Sequence, residues 1–338
     1  MSKISETELF RKYKSSYRSA CIDFSLHAFL LCMSFYSIWY ARNSWWSLFI
    51  APILGLLQVK TFIIFHDCGH NSYIPNRKLN HIIGIITGIF IQTPLSWSIL
   101  HDMHHDTNGN IENKYDWRYN ENVYYTLSEY KKLTPVRRYL FQCFINPKIF
   151  FLFAPFLNFV ILERFSVTKL IYRKIRNNSV PSYWFLEQVI HNIGVLYLNY
   201  ILYLHSMLLH WLVVMWIGGN IGVILFHSQH TFNPSYVVNN ENWNRRDSGL
   251  MGSSFIQIPY WLRYITGGIE YHHIHHMNAK IPSYNLQKYH EEFIKSNICD
   301  NVVRLSLSDC YHNLWLVLYD EDKKRYITIK EAIKDDIK

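Results

Sequence analysis

Histidine carries the chemistry of this chain. The run H-D-C-G-H at 66–70 supplies His66 and His70, and H-D-M-H-H at 101–105 supplies His101, His104 and His105. A third run, Y-H-H-I-H-H at 271–276, supplies His272, His273, His275 and His276. Neutral imidazole is the commonest protein metal ligand, and such density points to a bound metal. His66 and His70 stand four apart, while His101/His104/His105 and His272/His275/His276 stand three and four apart. On a helix each set shares one face and can direct its rings into a common space. His230, in F-H-S-Q-H, is a ninth candidate ligand. A zinc site takes about four ligands, so nine imidazoles point to two metals. His227 and His273 each sit beside a better-placed neighbour and are the doubtful members. Isolated histidines such as His27 and His210 read as packing or surface residues. Spacing leaves iron, zinc and copper open, because imidazole suits all three.

The three clusters lie far apart in sequence, so a fold must bring them together. No Lys or Arg occurs between Arg176 and Arg245, and 189–226 is strongly apolar. One helix over that stretch would run roughly 57 Å, whereas a bilayer core is about 30 Å thick. Two antiparallel spans are expected instead, near 189–207 and 209–226. Residues 22–41 and 45–65 form a second apolar pair around the A-R-N-S turn, with Trp39, Trp45 and Trp46 placed for an interfacial belt. Two interrupted stretches, 81–100 and 149–162, read as interfacial or re-entrant helices. The expected fold is an all-α integral membrane protein, with four transmembrane helices in two hairpins and a cytosolic histidine-box domain.

Composition agrees. Charged residues make up 17% and aromatics 17% of the 338 residues, against about 25% charged in soluble proteins. The net charge of +9 comes from Lys and Arg flanking apolar segments, which suits anionic lipid headgroups and not nucleic acid. Lys3, Arg11, Lys12, Lys14 and Arg18 precede the first span, and Arg77, Lys78 and others follow the second. The positive-inside rule then places both termini and every histidine box in the cytosol. The six cysteines are scattered with no C-x-x-C pair, consistent with a reducing compartment. The first twenty residues carry no apolar run of signal-peptide type.

Beyond histidine spacing, the motifs resemble those of the membrane fatty acid desaturases, especially the acyl-lipid delta-12 or omega-3 type. H-D-C-G-H-N-S is similar to that group's first box and H-D-M-H-H to its second. The third box sits in a longer resemblance over Tyr264–His276, continued by N-A-K-I-P-S-Y-N-L at 278–286. L-F-H-S-Q-H-T-F at 225–232 and N-P-K-I-F-F-L-F-A-P-F at 146–156 are also similar, so the likeness covers roughly 20–295. It implies a desaturase domain over 21–295, between a cytosolic arm (1–20) and a cytosolic tail (296–338). It implies two iron ions on His66, His70, His101, His104, His105, His230, His272, His275 and His276. Asp67, Asp102, Asp106 and Glu270 are placed to orient these rings through hydrogen bonds. One departure is His227, where the family often has Tyr.

The resemblance further implies O2-dependent introduction of a double bond into a lipid acyl chain. Two electrons come from a separate cytochrome b5 or ferredoxin with its reductase, since no H-P-G-G haem motif is fused. The host membrane is the endoplasmic reticulum or a bacterial inner membrane. A lipid hydroxylase would share the histidine centre, and a metal-binding or transport protein would need polar residues along its spans. Asn199, His205 and Asn220 are the few that the last two spans offer. Histidine spacing fixes neither regioselectivity, which depends on tunnel depth, nor the acyl carrier, for which the resemblance favours a glycerolipid.

Overall fold

The computed structural model describes residues 5–112, 124–166, 181–295 and 302–336. Long helices dominate. A short helix α1 (Glu6–Tyr13) leads into α2 (Tyr17–Ala41) and α3 (Ser47–Gly69), followed by α4 (Arg77–Ile91) and α5 (Trp97–Thr107). After these come α6 (Pro135–Ile145), α7 (Pro147–Val160), α8 (Tyr183–Leu204) and α9 (Leu208–His230). The short α10 (His272–Met277) carries the third histidine run and is followed by α11 (Ser283–Lys295). Ser16 and Asn76 cap α2 and α4 by accepting from Ser19 N–H and Leu79 N–H.

α3 is the central helix and packs most closely on α9. A Cβ on Gly55 would lie 2.8 Å from Ile217 Cγ2, and one on Gly218 would lie 2.9 Å from the Gly55 carbonyl oxygen. The two backbones therefore touch, as small residues permit between apolar helices. Any larger side chain there would overpack the crossing at a cost of roughly 1–3 kcal/mol. This contact carries His66, His70 and His230, at the ends of α3 and α9, to the same end of the bundle. Box three reaches that end by a tight turn. Gly267 and Gly268 have φ of +61° and +96°, and Gly267 lies against Lys60 and Ile63 of α3. Lys60 is itself buried in an ion pair, its Nζ 3.0 Å from Asp23 Oδ1 of α2.

Among the described residues, α2, α3 and α9 are long and apolar enough to cross a membrane. A fourth candidate is the bent pair Pro135–Ile145 and Pro147–Phe165, at 75° to one another. α8 occupies the place of the expected 189–207 span but differs from it. It begins at Tyr183, and its inner face carries buried Glu187, Gln188 and His191, so it falls short of the others in apolarity. Its outer face exposes Leu186, Ile193, Leu196 and Tyr200, matching the exposed Ile22, Phe29 and Tyr36 of α2.

The interrupted stretch 81–100 breaks where Gln92 turns left-handed (φ 57°) and Pro94 follows. That break re-aims the chain and starts α5. Within the expected tail, the described residues 302–336 are folded onto the body. The strand Arg304–Leu305 pairs in parallel with Phe255–Ile256. Leu318–Asp320 pairs with both Tyr125–Thr126 and Arg325–Ile327. Among the described residues these short strands are the exception to helices and loops.

Candidate metal centre

The structure gathers the nine expected histidines at one end of the bundle, all buried. They form two groups. His66, His70, His101, His105 and His275 make the first, with one ring nitrogen of each within 4.8 Å of the others. His104, His230 and His276 make the second by the same measure. His272 joins the second, its Nε2 2.9 Å from His230 Nε2 and 3.1 Å from His276 Nε2. The His105 and His276 rings stack at 4.1 Å between centroids, so the groups adjoin. Boxes two and three each feed both.

The geometry within the groups fits metal ions. Nε2 atoms approach at 2.9 Å between His66 and His101, 3.2 Å between His101 and His105, and 3.0 Å between His105 and His275. His104 and His230 approach at 3.0 Å. Neutral imidazole has one N–H, so ring chains of this kind turn lone pairs toward shared points. Two nitrogens each about 2.1 Å from a metal and at right angles would stand about 3.0 Å apart. Five imidazoles in one group exceed the usual four-ligand set of structural zinc. Burial, reinforced by neighbouring imidazoles, holds His101, His105, His272, His275 and His276 well below the ordinary histidine pKa. They stay neutral, which is the ligating form.

Ring orientation is visible at three positions. His70 Nδ1 lies 2.9 Å from Asp102 Oδ1. A carboxylate can only accept, so Nδ1 carries the proton and Nε2, buried without a partner, keeps its lone pair. His230 Nδ1 donates to the Gly252 carbonyl at 3.3 Å, with the same consequence. His66 Nδ1 meets Asp67 Oδ1 at 3.4 Å, while Asp67 Oδ2 accepts from Ser283 N–H at 2.7 Å. Asp67 thus ties box one to the start of α11. Lys280 reinforces this by donating to the His70 carbonyl. The N-A-K-I-P-S-Y segment that follows box three is therefore the clasp over box one, a role its sequence did not disclose.

Two expected orienting acids point elsewhere. Asp106 pairs with Arg245 at 3.1 Å on the surface. Glu270 accepts from Thr266 Oγ1 at 2.6 Å and touches no box ring by hydrogen bond. The doubtful histidines fall outside both groups. His227 Nε2 donates to the Asn313 carbonyl at 2.9 Å, and His273 Nε2 meets His290 Nδ1 at 2.8 Å.

A cavity of about 510 Å³ adjoins the histidines. His66, His101 and His272 line it, together with Phe62, Trp97 and Phe226. It continues between α3 and α9 past Gln58, Met215, Gly218 and Gly222. Gln58 and His66 are separated by eight residues, roughly 12 Å of helix. A Cβ on Gly222 would meet nothing within 4 Å, so this glycine faces open space. A profile of known proteins described as "Fatty acid desaturase" matches residues 43–303. This chain belongs to the fatty acid desaturase family.

Individual relatives agree. A "Fatty acid desaturase" of Bacillus subtilis (strain 168) is 34% identical over 294 residues, covering 85% of this chain and 78% of that protein. An "sn-1 oleoyl-lipid 12-desaturase" of a Picosynechococcus species is 24% identical, over 77% of this chain and 70% of its own length. A chloroplastic "Omega-6 fatty acid desaturase" of Glycine max is 23% identical, over 82% of this chain and 62% of its own length. Desaturases are oxidoreductases, so the chain is an enzyme. Its buried histidines form groups that could hold metal ions.

Proposed function

We propose that this desaturase introduces a double bond into a bilayer lipid's acyl chain, using O2 and two electrons, with the nine histidines holding two irons. The supporting observation is the cavity. It brings His66 and His101 of the first group and His272 of the second to one apolar channel between α3 and α9. A methylene chain lodged there would pass both groups. When bound, the irons supply the oxidant that removes hydrogen from an unactivated methylene. The chain's own residues do the rest. Phe62, Trp97 and Phe226 exclude water beside the rings, and Asp102 and Gly252 fix two ring tautomers. The five-imidazole group favours iron over zinc. The relatives named for the oleoyl-12 and omega-6 positions, with the motif likeness, support a glycerolipid substrate and delta-12 or omega-3 action. Lys and Arg placement supports cytosolic termini and boxes, and hence a cytosolic donor such as cytochrome b5 or ferredoxin.

Expression in a host lacking polyunsaturated lipids, followed by fatty acid analysis, tests the reading. A new double bond is expected, and its position assigns the regioselectivity. A hydroxylated chain would favour the oxygenase alternative, and unchanged lipids with iron loaded and a donor present would overturn both. Gly222→Leu tests the channel. It adds a branched side chain to open space, so iron content should match wild type while product falls about tenfold or shifts in chain length. Undisturbed product would remove the channel from the argument.

A further inference from the structure

α5, which carries His101, His104 and His105, has no capping side chain of its own. Trp97, Ser98 and Ile99 N–H turn back to the Pro94, Leu95 and Ser96 carbonyls, and the two amides just before the helix are taken by another helix. Leu95 N–H donates to Glu187 Oε1 at 2.8 Å, and Ser96 N–H to Glu187 Oε2 at 3.4 Å. Glu187 stands on α8 and is 4% exposed. The same turn is held from its other side by Arg164, which donates to the Gln92 carbonyl and at 3.4 Å to Asn192 Oδ1 of α8. The adjoining Gln188 accepts from Ser166 Oγ at 2.7 Å, tying α8 to the segment after α7. These polar residues set α8 apart from α2, α3 and α9, which are apolar enough to cross a membrane.

We propose that Glu187 is a positioning residue of the metal centre, anchoring across the bundle the turn that starts the box-two helix and so fixing where its three histidines point. The residue touches no box ring, so it acts through α5. The lever is short. Trp97, the first residue of α5, stacks on the His101 ring at 4.4 Å and 18°. An N-terminus turned about its axis would move His101 and His105 from one group and His104 from the other. A carboxylate at a helix N-terminus also meets the positive end of the helix dipole, which holds it there. A leucine of similar size would leave two buried amides unpaired and the turn free to shift.

The inference rests on the iron reading, and its test separates the two. Glu187→Gln keeps a carbonyl oxygen for Leu95 N–H, whereas Glu187→Leu keeps no acceptor. Iron per protein is measured on purified, monodisperse full-length enzyme, alongside product formation. Glu187→Leu should bind less than half the iron of wild type, with product reduced about tenfold or more, while Glu187→Gln stays within about twofold. Should Glu187→Leu not be recovered monodisperse, Glu187→Asp, which keeps the charge on a shorter arm, takes its place with the same expected loss. Wild-type protein without iron would overturn the metal reading. Wild type with iron, and either full loading in the variant lacking the reach or equal damage in Glu187→Gln, would overturn this inference alone.

Discussion

The first imidazole group leans on carboxylates, whereas the second leans on a backbone carbonyl. Asp102 holds His70 and Asp67 approaches His66, but His230 is held by the Gly252 oxygen. A carboxylate behind an imidazole adds negative charge and raises ligand basicity, which a neutral carbonyl does less. The carboxylate backing also reaches solvent. Asp102 is 60% exposed, so the first group has a hydrogen-bonded link to the surface. Two metal positions, of five and four rings, can thus differ in affinity through their backing groups as well as their number.

The largest effect should come where the groups meet. His105 Nε2 is 3.2 Å from His101 and 3.0 Å from His275, and its ring stacks on His276. His105→Ala should lower product more than about a hundredfold, beyond the range typical of residues that only orient ligands. The protein should still reach the membrane, since the helices are untouched. Iron assay and lipid analysis together decide it, and retained activity would contradict its assignment as a ligand.

Next comes the contrast between two acids one helical turn apart. Asp102→Ala removes the acceptor of His70 and should weaken metal binding at the first group by about tenfold, the lower end of such effects, because the carboxylate is solvated. Asp106→Asn should change it less than about twofold, since Asp106 serves an exposed pair with Arg245. Titration of metal-free protein with ferrous iron measures both. Equal losses would erase the distinction between carboxylate-backed and unbacked rings.

How much of this was legible depends on the residue. The three-and-four spacing told that each trio shares a face, and Q-H at 229–230 told of a ninth ring. The split into five and four was not legible, although its rule is simple afterwards. On α5, His101 and His105 (i, i+4) serve the first group and His104 the second. On α10, His272 and His276 serve the second group and His275 the first. Which edge of a helical face meets which metal depends on the crossing of α5, α9 and α10, and no local pattern encodes that. Asp106 and Glu270 look as well placed as Asp102 in the sequence, but a partner elsewhere claims each. Glu187 stands two residues before the apolar 189–226 stretch, with nothing local to mark it. Its service to Leu95 and Ser96, more than ninety residues away in the chain, was not legible.

Acid should also distinguish the metal-free centre from the loaded one. Burial lowers His101, His105, His272, His275 and His276 from the ordinary value of 6.5. The unfolded chain therefore binds more protons than the folded one once pH drops below about 6.5. The stability these neutral rings retain above that pH is lost progressively as pH falls toward their folded values. Metal-free protein should show a falling Tm between about pH 7 and 5, read by thermal unfolding, and bound metal should blunt the fall by competing with protons. A flat profile would mean that the rings are not buried neutral.

The smallest effect belongs to the histidine that looks most like a ligand and is placed as none. His227 lies three residues before His230 on α9, yet its Nε2 donates to the Asn313 carbonyl at the end of the helix Leu307–Asn313. His227→Phe removes that donor and leaves the carbonyl unpaired, which costs about 1–2 kcal/mol. For a chain of this size that is a Tm drop of a few degrees. Iron content and product should stay at wild-type levels, because no nitrogen of either group is disturbed. If His227→Phe instead released iron with little change in Tm, His227 would belong with the ligands, and the second group would match the first in number. The comparison between them would then rest on Asp67 and Asp102 alone.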